Sequence, residues 1–160
     1  MSTTRATPWL DDVEMRAWRS LLRAHARLLA RLDADLQASQ GISVTDYGVL
    51  VQLSEGEDGR MRMSELADRL LLSPSGLTRR LDGLVAAGMV ERHRCPTDRR
   101  GAFAVLTPAG QARLQAAAPD HVEQVRRHFV DRLSRKQLEA LGDALDKVTL
   151  GDSKAESSCP

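Results

Sequence analysis

The apolar residues of this chain follow the helical period almost throughout, and they change to strict alternation in only one place. Residues 90–95 alternate like a half-buried strand, residues 96–101 form a basic segment rich in turn formers, and residues 102–106 form a return strand. Aromatic residues make up only 3% of the chain, and leucine and alanine take their place. This composition favours packed helices over a sandwich or barrel. We therefore expect a mainly α fold with one small β-hairpin.

Two short helices are predicted immediately before the hairpin. The first begins near Met63. The second begins at Ser73, an N-cap residue that is followed by Pro74 at the first helical position, and it ends at Gly88. Its apolar positions are Leu77, Leu81, Leu84 and Val85. Two short helices joined by a tight turn and followed by a hairpin predict a winged helix-turn-helix lobe, to which we assign residues 42–106.

A long amphipathic helix is predicted before this lobe, from residue 9 to residue 38, and Gly41 ends it. Its apolar stripe contains Trp18, Leu21, Leu22, His25, Leu28, Leu29, Leu32 and Leu36. The lobe then begins with a helix capped by Ser43, followed by a loop at residues 55–60. A stripe of this length needs an apolar partner of matching length.

Two further helices are predicted after the hairpin. Thr107 and Pro108 begin a long one, whose apolar stripe continues to Leu133, and Ser134 with Gln137 forms a capping box for the last one. A chain of 160 residues has little with which to cover the stripes of its first and last long helices. We therefore predict a homodimer. Residues 9–40 and 107–150 would be its dimerisation helices, and residues 151–160 a disordered tail.

The net charge of +1 is unevenly distributed along the chain. Residues 60–102 contain nine arginines and five acidic residues, a net charge of +4, whereas the remaining residues contain 14 basic and 17 acidic side chains, a net charge of −3. Positive charge concentrated in one segment is typical of a phosphate-binding module. Charge alone would equally fit a solvated surface with a chance excess, but together with the winged helix-turn-helix it predicts double-stranded DNA as the partner.

The candidate DNA contacts lie on the second short helix and at the tip of the hairpin. They are Ser75, Gly76, Thr78, Arg79 and Arg80 on the helix, and Asp98, Arg99 and Arg100 at the tip. Arg79 can donate two hydrogen bonds to the O6 and N7 atoms of a guanine, and Gly76 permits close approach of the backbone. Arg99 and Arg100 can enter a minor groove. Asp98 can orient the guanidinium of Arg100 or pair with Arg79.

Other classes of function find little support in the residues. Cys95 and Cys159 are too few for a disulfide framework or a zinc site, and the four histidines follow no metal-ligand spacing. No nucleophile motif or phosphate-binding glycine pattern occurs, so we expect no catalytic residue, metal or cofactor. No apolar run is long enough for a membrane span, and the N-terminal residues do not form a signal peptide, so we expect a cytoplasmic protein.

The order of these motifs resembles the multiple-antibiotic-resistance regulator (MarR) family of bacterial transcription factors. The matching segments are residues 63–67 (MSELA), 72–79 (LSPSGLTR), 87–92 (AGMVER), 98–101 (DRRG) and 106–110 (LTPAG). The resemblance is dense from residue 42 to residue 110, and elsewhere it extends only to the order and length of the helices. One departure is Gly83, where the family commonly has an arginine; glycine also lowers helix propensity by about 1 kcal/mol relative to alanine.

The resemblance implies several further properties. The family carries the Asp-x-Arg pattern of Asp98 and Arg100 in its wing, and it binds small aromatic acids where the first long helix meets the DNA-binding lobe. This implies an aromatic or phenolic effector near Trp18, His25 and Tyr47, although for His25 we prefer the interpretation as a core or dimer-interface histidine. Peroxide sensors of the family carry their reactive cysteine in the first helix, where this chain has none, so we interpret Cys95 as structural.

These observations together predict a homodimeric winged-helix regulator, a ligand-responsive repressor of a palindromic operator. One alternative is a winged-helix protein-interaction module without DNA binding, which Gly83 and the near-zero net charge would fit. Arginines at positions 79, 99 and 100 argue against it. A second alternative is a small hydrolase or thiol enzyme that uses Cys95 and His93, and for this we find neither oxyanion-hole glycines nor an orienting acid.

Overall fold

The computed structural model describes residues 8–94 and 102–149, which form six α-helices and three strands. The helices are α1 (Asp12–Gln40), α2 (Val44–Glu55), α3 (Met63–Arg69), α4 (Pro74–Ala86), α5 (Pro108–His128) and α6 (Arg135–Thr149). The strands are β1 (Arg60–Arg62), β2 (Val90–Arg94) and β3 (Ala102–Leu106). The chain divides into two units, the first ending at His121 and the second beginning at Val122. Within the described ranges, no helix is long and apolar enough to cross a membrane.

Helix α1 begins and ends at strong local signals. The Asp11 carboxylate accepts hydrogen bonds from the backbone N–H groups of Val13 and Glu14, both at 2.8 Å, and Glu14 accepts one in return from the Asp11 N–H. This capping box places the first residue three positions later than residue 9, where the helix was expected to begin. Gly41, with a φ of 65°, ends the helix as predicted.

The core of the first unit is formed mainly by leucines. Its fully buried large side chains are Leu36, Val49, Leu50, Leu53, Leu66, Leu77, Leu81 and Val90. They come from α1, α2, α3, α4 and β2 and belong to one contiguous cluster. Each buried leucine contributes about 1.5–3 kcal/mol relative to an exposed one, so burial of these leucines stabilises the arrangement of α2, α3 and α4.

The turn between α3 and α4 is a Schellman motif without glycine. The Leu72 N–H donates to the Ala67 carbonyl at 2.9 Å, and the Leu71 N–H donates to the Asp68 carbonyl at 3.1 Å. Leu71 occupies the left-handed position with a φ of 53°, and its side chain is 93% exposed. A leucine in this conformation costs about 1–2 kcal/mol. The predicted tight turn is therefore present, and its strain is offset by the burial of the two helices that it joins.

The three strands form an antiparallel sheet in the order β1-β3-β2. The β2–β3 hairpin has the predicted strands, with Val90 opposite Leu106 and Arg92 opposite Ala104. The strand β1 was not predicted, because its three residues, between the end of the expected loop and the expected helix at Met63, are too few to show alternation. Its central residue, Met61, is 3% exposed and pairs with Ala104, which is fully buried.

The second unit corrects one helix boundary. The apolar stripe of α5 was expected to continue to Leu133, but α5 ends at His128 and a short 3₁₀ turn (Val130–Arg132) follows. Arg126 pairs with Asp131 at 2.8 Å across this turn. The predicted capping box of α6 is present, since the Ser134 N–H donates to the Gln137 side chain at 2.9 Å. Local polar contacts therefore end α5 before α6, although the helical spacing of the apolar residues continues past this point.

Candidate nucleic-acid interface

Helix α4 has a buried side and an exposed polar side, as the sequence predicted. Leu77, Leu81 and Leu84 are at most 4% exposed and hold the helix in the core. The opposite side presents Ser75, Thr78, Arg79, Asp82 and Ala86 to solvent. Because the apolar side is fully used, α4 can turn only this polar side towards a partner.

The first turn of α4 is capped by Ser73. Its hydroxyl accepts a hydrogen bond from the Gly76 N–H at 3.1 Å, and Pro74 at the first helical position has no N–H to satisfy. A Cβ atom added at Gly76 would lie 3.0 Å from the Ser73 hydroxyl, so glycine at this position fits the cap as well as the expected approach of DNA. Ser73, Pro74 and Ser75 are exposed, so the positive end of the helix dipole is open to an anion.

Arg92 connects the hairpin to α4. One of its nitrogens donates to the Thr78 carbonyl at 2.8 Å, and the other pairs with the Asp82 carboxylate at 2.8 Å. The Thr78 hydroxyl in turn donates to the Pro74 carbonyl at 2.9 Å. The sequence placed Arg92 only in a strand pattern. Its role depends on the distance between β2 and α4, which no local signal reveals.

The two consecutive arginines of α4 have different surroundings. Arg79 is exposed and makes no ion pair or hydrogen bond within the described residues. The Arg80 guanidinium instead lies 3.5 Å from the Asp46 carboxylate and 3.5 Å from the Ser43 hydroxyl, both at the beginning of α2. Among the residues that the structure describes, Arg80 is therefore paired within the chain and Arg79 is not.

A groove of about 570 Å³ lies beside Arg80. The small residues Gly76, Gly83 and Ala87 of α4 and its capping turn line it, together with Gly41 and Asp46. A Cβ atom at Gly83 would meet nothing within 4 Å, so the departure from the family pattern leaves open space on this side of α4.

The tip of the hairpin, with Asp98, Arg99 and Arg100, lies outside the described residues, as does Cys95. The described part of β2 corrects one argument against a hydrolase or thiol enzyme. His93 has an acid beside it, because its Nε2 atom lies 2.9 Å from the Glu91 carboxylate. Both side chains are more than half exposed.

The three effector candidates are not brought together in one buried pocket of the single chain. Trp18 and His25 are exposed on α1. Tyr47 is buried on α2 and its ring packs against His121 of α5, with centroids 4.5 Å apart. The sequence did not associate Tyr47 with His121, since 74 residues separate them. Within residues 8–94 and 102–149, no group of three His, Cys, Asp or Glu side chains is placed to hold a metal ion.

Acidification should destabilise the protein through His121. Burial lowers the pKa of this imidazole from its ordinary value of 6.5, so below that value the unfolded chain binds more protons than the folded one. The free energy of unfolding should therefore fall as the pH drops through about 6.5 and level off below the folded-state pKa. Chemical unfolding of the wild type and of His121→Phe at several pH values measures this. The variant should show a flatter profile than the wild type. Identical profiles for the wild type and His121→Phe would contradict the assignment.

Comparison with known proteins places the chain among transcriptional regulators. Residues 40–101 match the model described as MarR family. The crystal structure of AbsC, a MarR family transcriptional regulator from Streptomyces coelicolor, is 43% identical, with a TM-score of 0.84 over 91% of this chain and 97% of that one. Sco3205, a MarR family regulator from the same organism crystallised in complex with DNA, is 38% identical, with a TM-score of 0.86 over 93% and 97%. The transcriptional repressor YetL of Bacillus subtilis is 29% identical over 71% of this chain and 70% of its own.

Proposed function

The chain belongs to the MarR family of transcriptional regulators, and on that premise we propose that it is a repressor that binds a palindromic operator as a homodimer. The observation that carries this proposal is the exposed polar side of α4, with the exposed Arg79 at its centre and Arg92 holding it against the hairpin. Sco3205, which is similar over nearly the whole chain, was crystallised with DNA. Such a regulator would act in the cytoplasm, and its known relatives suggest no catalytic step.

In this proposal α4 enters the major groove. Arg79 donates to the edge of a guanine, while Ser75, Thr78 and the Gly76 backbone lie close to bases or phosphates. The open N-terminus of α4 attracts a phosphate. Asp98, Arg99 and Arg100 at the tip of the hairpin would reach the adjacent minor groove.

The homodimer would use the apolar sides of α1 and α6. On α1, Trp18 is 52% exposed and Leu22 is 50% exposed. On α6, Leu145 is 36% exposed and Val148 is 68% exposed. Apolar surface on this scale in a single chain is typical of a protein interface. A two-fold dimer would present two α4 helices to half-sites roughly 10 base pairs apart.

The effector in this proposal is a small aromatic or phenolic compound that lowers operator affinity. It would bind near Trp18, His25 and Tyr47, and would act by changing the separation of the two α4 helices. Trp18 and His25 offer exposed rings on α1, and the Tyr47–His121 contact lies where α2 packs against α5.

Selection of bound duplexes from a randomised pool tests the operator proposal. The wild type should enrich a palindrome that also occurs upstream of its own coding region. Arg79→Ala should bind that operator more weakly by about 1–3 kcal/mol per half-site and lose the preference at one base position in each. Arg135→Ala on α6, which removes an arginine paired with Glu139, is the matched control and should keep both. A pool without an enriched palindrome would leave the protein-interaction module as the better explanation.

A further inference from the structure

A network of hydrogen bonds surrounds the N-terminus of α2. The Ser43 hydroxyl accepts a hydrogen bond from the Asp46 N–H at 3.0 Å and donates one to the Asp46 carboxylate at 2.7 Å. Asp33 of α1 accepts a hydrogen bond from the Val44 N–H at 2.8 Å. Ser43 is only 9% exposed and the Asp46 side chain is 24% exposed. The network therefore holds the N-terminus of α2 at a defined place beside α1.

Arg80 joins this network from α4. Its guanidinium contacts the Asp46 Oδ1 atom and the Ser43 hydroxyl, which leaves the Asp46 Oδ2 atom to Ser43. Arg80 and Asp46 both line the groove that the small residues of α4 leave open. The link from Arg80 to Asp46 therefore joins α4 to the beginning of α2 beside a gap that side chains do not fill.

Arg80 and Arg92 hold opposite flanks of α4. At 100° per residue, Thr78 and Asp82, which Arg92 contacts, lie on one flank of the buried leucines, and Arg80 lies on the other flank. Arg79 lies between them, directly opposite the core. Rotation of α4 about its axis would move the long Arg79 side chain away from a base edge, and the two arginine links oppose such rotation in either direction.

We propose that Arg80 is a positioning residue for DNA recognition, which fixes the orientation of α4 through Asp46 and Ser43 and does not itself contact phosphate. This inference rests on the proposed function, because it concerns how the Arg79 side chain is oriented towards the operator. It also departs from the sequence prediction, which placed Arg80 among the DNA contacts. The departure has a simple basis, since the guanidinium already has a carboxylate partner within its own chain.

The two roles predict opposite effects for the removal of the Asp46 charge. If Arg80 contacted phosphate, Asp46→Asn would release the guanidinium and strengthen binding. If Arg80 positions α4, Asp46→Asn should weaken binding as much as Arg80→Gln does, because either change breaks the same link. Asn at position 46 keeps an acceptor for Ser43, so the N-cap of α2 is retained.

The experiment measures the operator affinity of Arg80→Gln, Asp46→Asn and the double variant by fluorescence anisotropy at several salt concentrations. Loss of a partly exposed ion pair of this kind should lower the population of correctly oriented α4 about threefold. A dimer contains two α4 helices, so its operator affinity should fall about tenfold. Each single variant should therefore bind about tenfold more weakly, and the double variant no more weakly than either one. The dependence of affinity on salt should be unchanged in all three, since no phosphate contact is lost. Asp68→Asn, which removes an exposed acid of α3, is the charge-matched control and should not weaken binding.

Three results would overturn the inference while leaving the proposed function intact. They are equal or stronger binding by Asp46→Asn, additive losses in the double variant, and a salt dependence of Arg80→Gln reduced by about one phosphate per subunit. Circular dichroism of each variant at the assay temperature checks that the fold is retained. A wild-type protein that selects no operator would contradict the proposed function itself, and this inference with it.

Discussion

Raising the salt concentration from about 50 to about 200 mM should weaken operator binding by about three to five decades, if each subunit neutralises about four phosphates. The reason is counterion release. Cationic groups on the protein replace ions condensed on the duplex, and more free salt makes that replacement less favourable. The candidate cations belong to the central segment with its net charge of +4, together with the open N-terminus of α4.

Anisotropy titrations at four or five salt concentrations give the slope directly. A random duplex of the same length is the control. Its affinity should be lower at every salt concentration and should also fall steeply, because phosphate contacts are common to both complexes. A flat response, or equal affinity for the two duplexes, would contradict the proposal of a sequence-specific regulator.

Leu145→Asp should convert the protein from a dimer to a monomer at micromolar concentration. Leu145 lies on the apolar side of α6 and remains 36% exposed in the single chain, next to Val148 on the following turn. A carboxylate buried without a partner costs several kcal/mol, and a two-fold interface contains the substitution twice. The dimer dissociation constant should therefore rise by at least about a thousandfold, which corresponds to about 4 kcal/mol.

Sedimentation velocity of the wild type and the variant at tens of micromolar measures the assembly. Leu71→Asp is a matched control, because Leu71 is also an exposed leucine but lies in the turn between α3 and α4. It should remain a dimer. A Leu145→Asp protein that stays dimeric would remove α6 from the proposed interface, and a folded wild-type monomer would remove the dimer altogether.

The local beginnings and ends of the helices were predictable because their causes are local. Ser43, Ser73 with Pro74, and Ser134 with Gln137 cap helices within three residues of themselves. Gly41 ends α1 by taking up a left-handed conformation that costs glycine little. The alternation of residues 90–95 likewise predicted β2, and the apolar segment 102–106 after the turn-rich residues predicted β3 as the return strand.

The buried and exposed sides of α4 were also predictable from a local signal, the helical spacing of its leucines. Leu77, Leu81 and Leu84 define a buried side, and the helical period then assigns Arg79 to the side opposite it. The sequence was therefore sufficient to identify the candidate recognition surface. It could not assign different partners to Arg79 and Arg80, because both are arginines in one exposed helical segment.

Contacts between distant segments were decided only by the tertiary structure. Strand β1 exists because Met61 pairs with Ala104, 43 residues later, and three residues carry no period of their own. Arg92 reaches Thr78 and Asp82 only once the hairpin has folded back beside α4.

The partners of Arg80 and Tyr47 depend on packing in the same way. Arg80 meets Asp46 because buried leucines bring α4 beside the beginning of α2, and Tyr47 meets His121 because residues of α2 and α5 share the same core. Caps and periods act over a few residues, so the sequence alone determined the order of the helices, most of their ends and the exposed side of α4. Side-chain pairing across the core depends on how those helices pack, so only the tertiary structure decided that Arg80, and not its neighbour Arg79, pairs with Asp46.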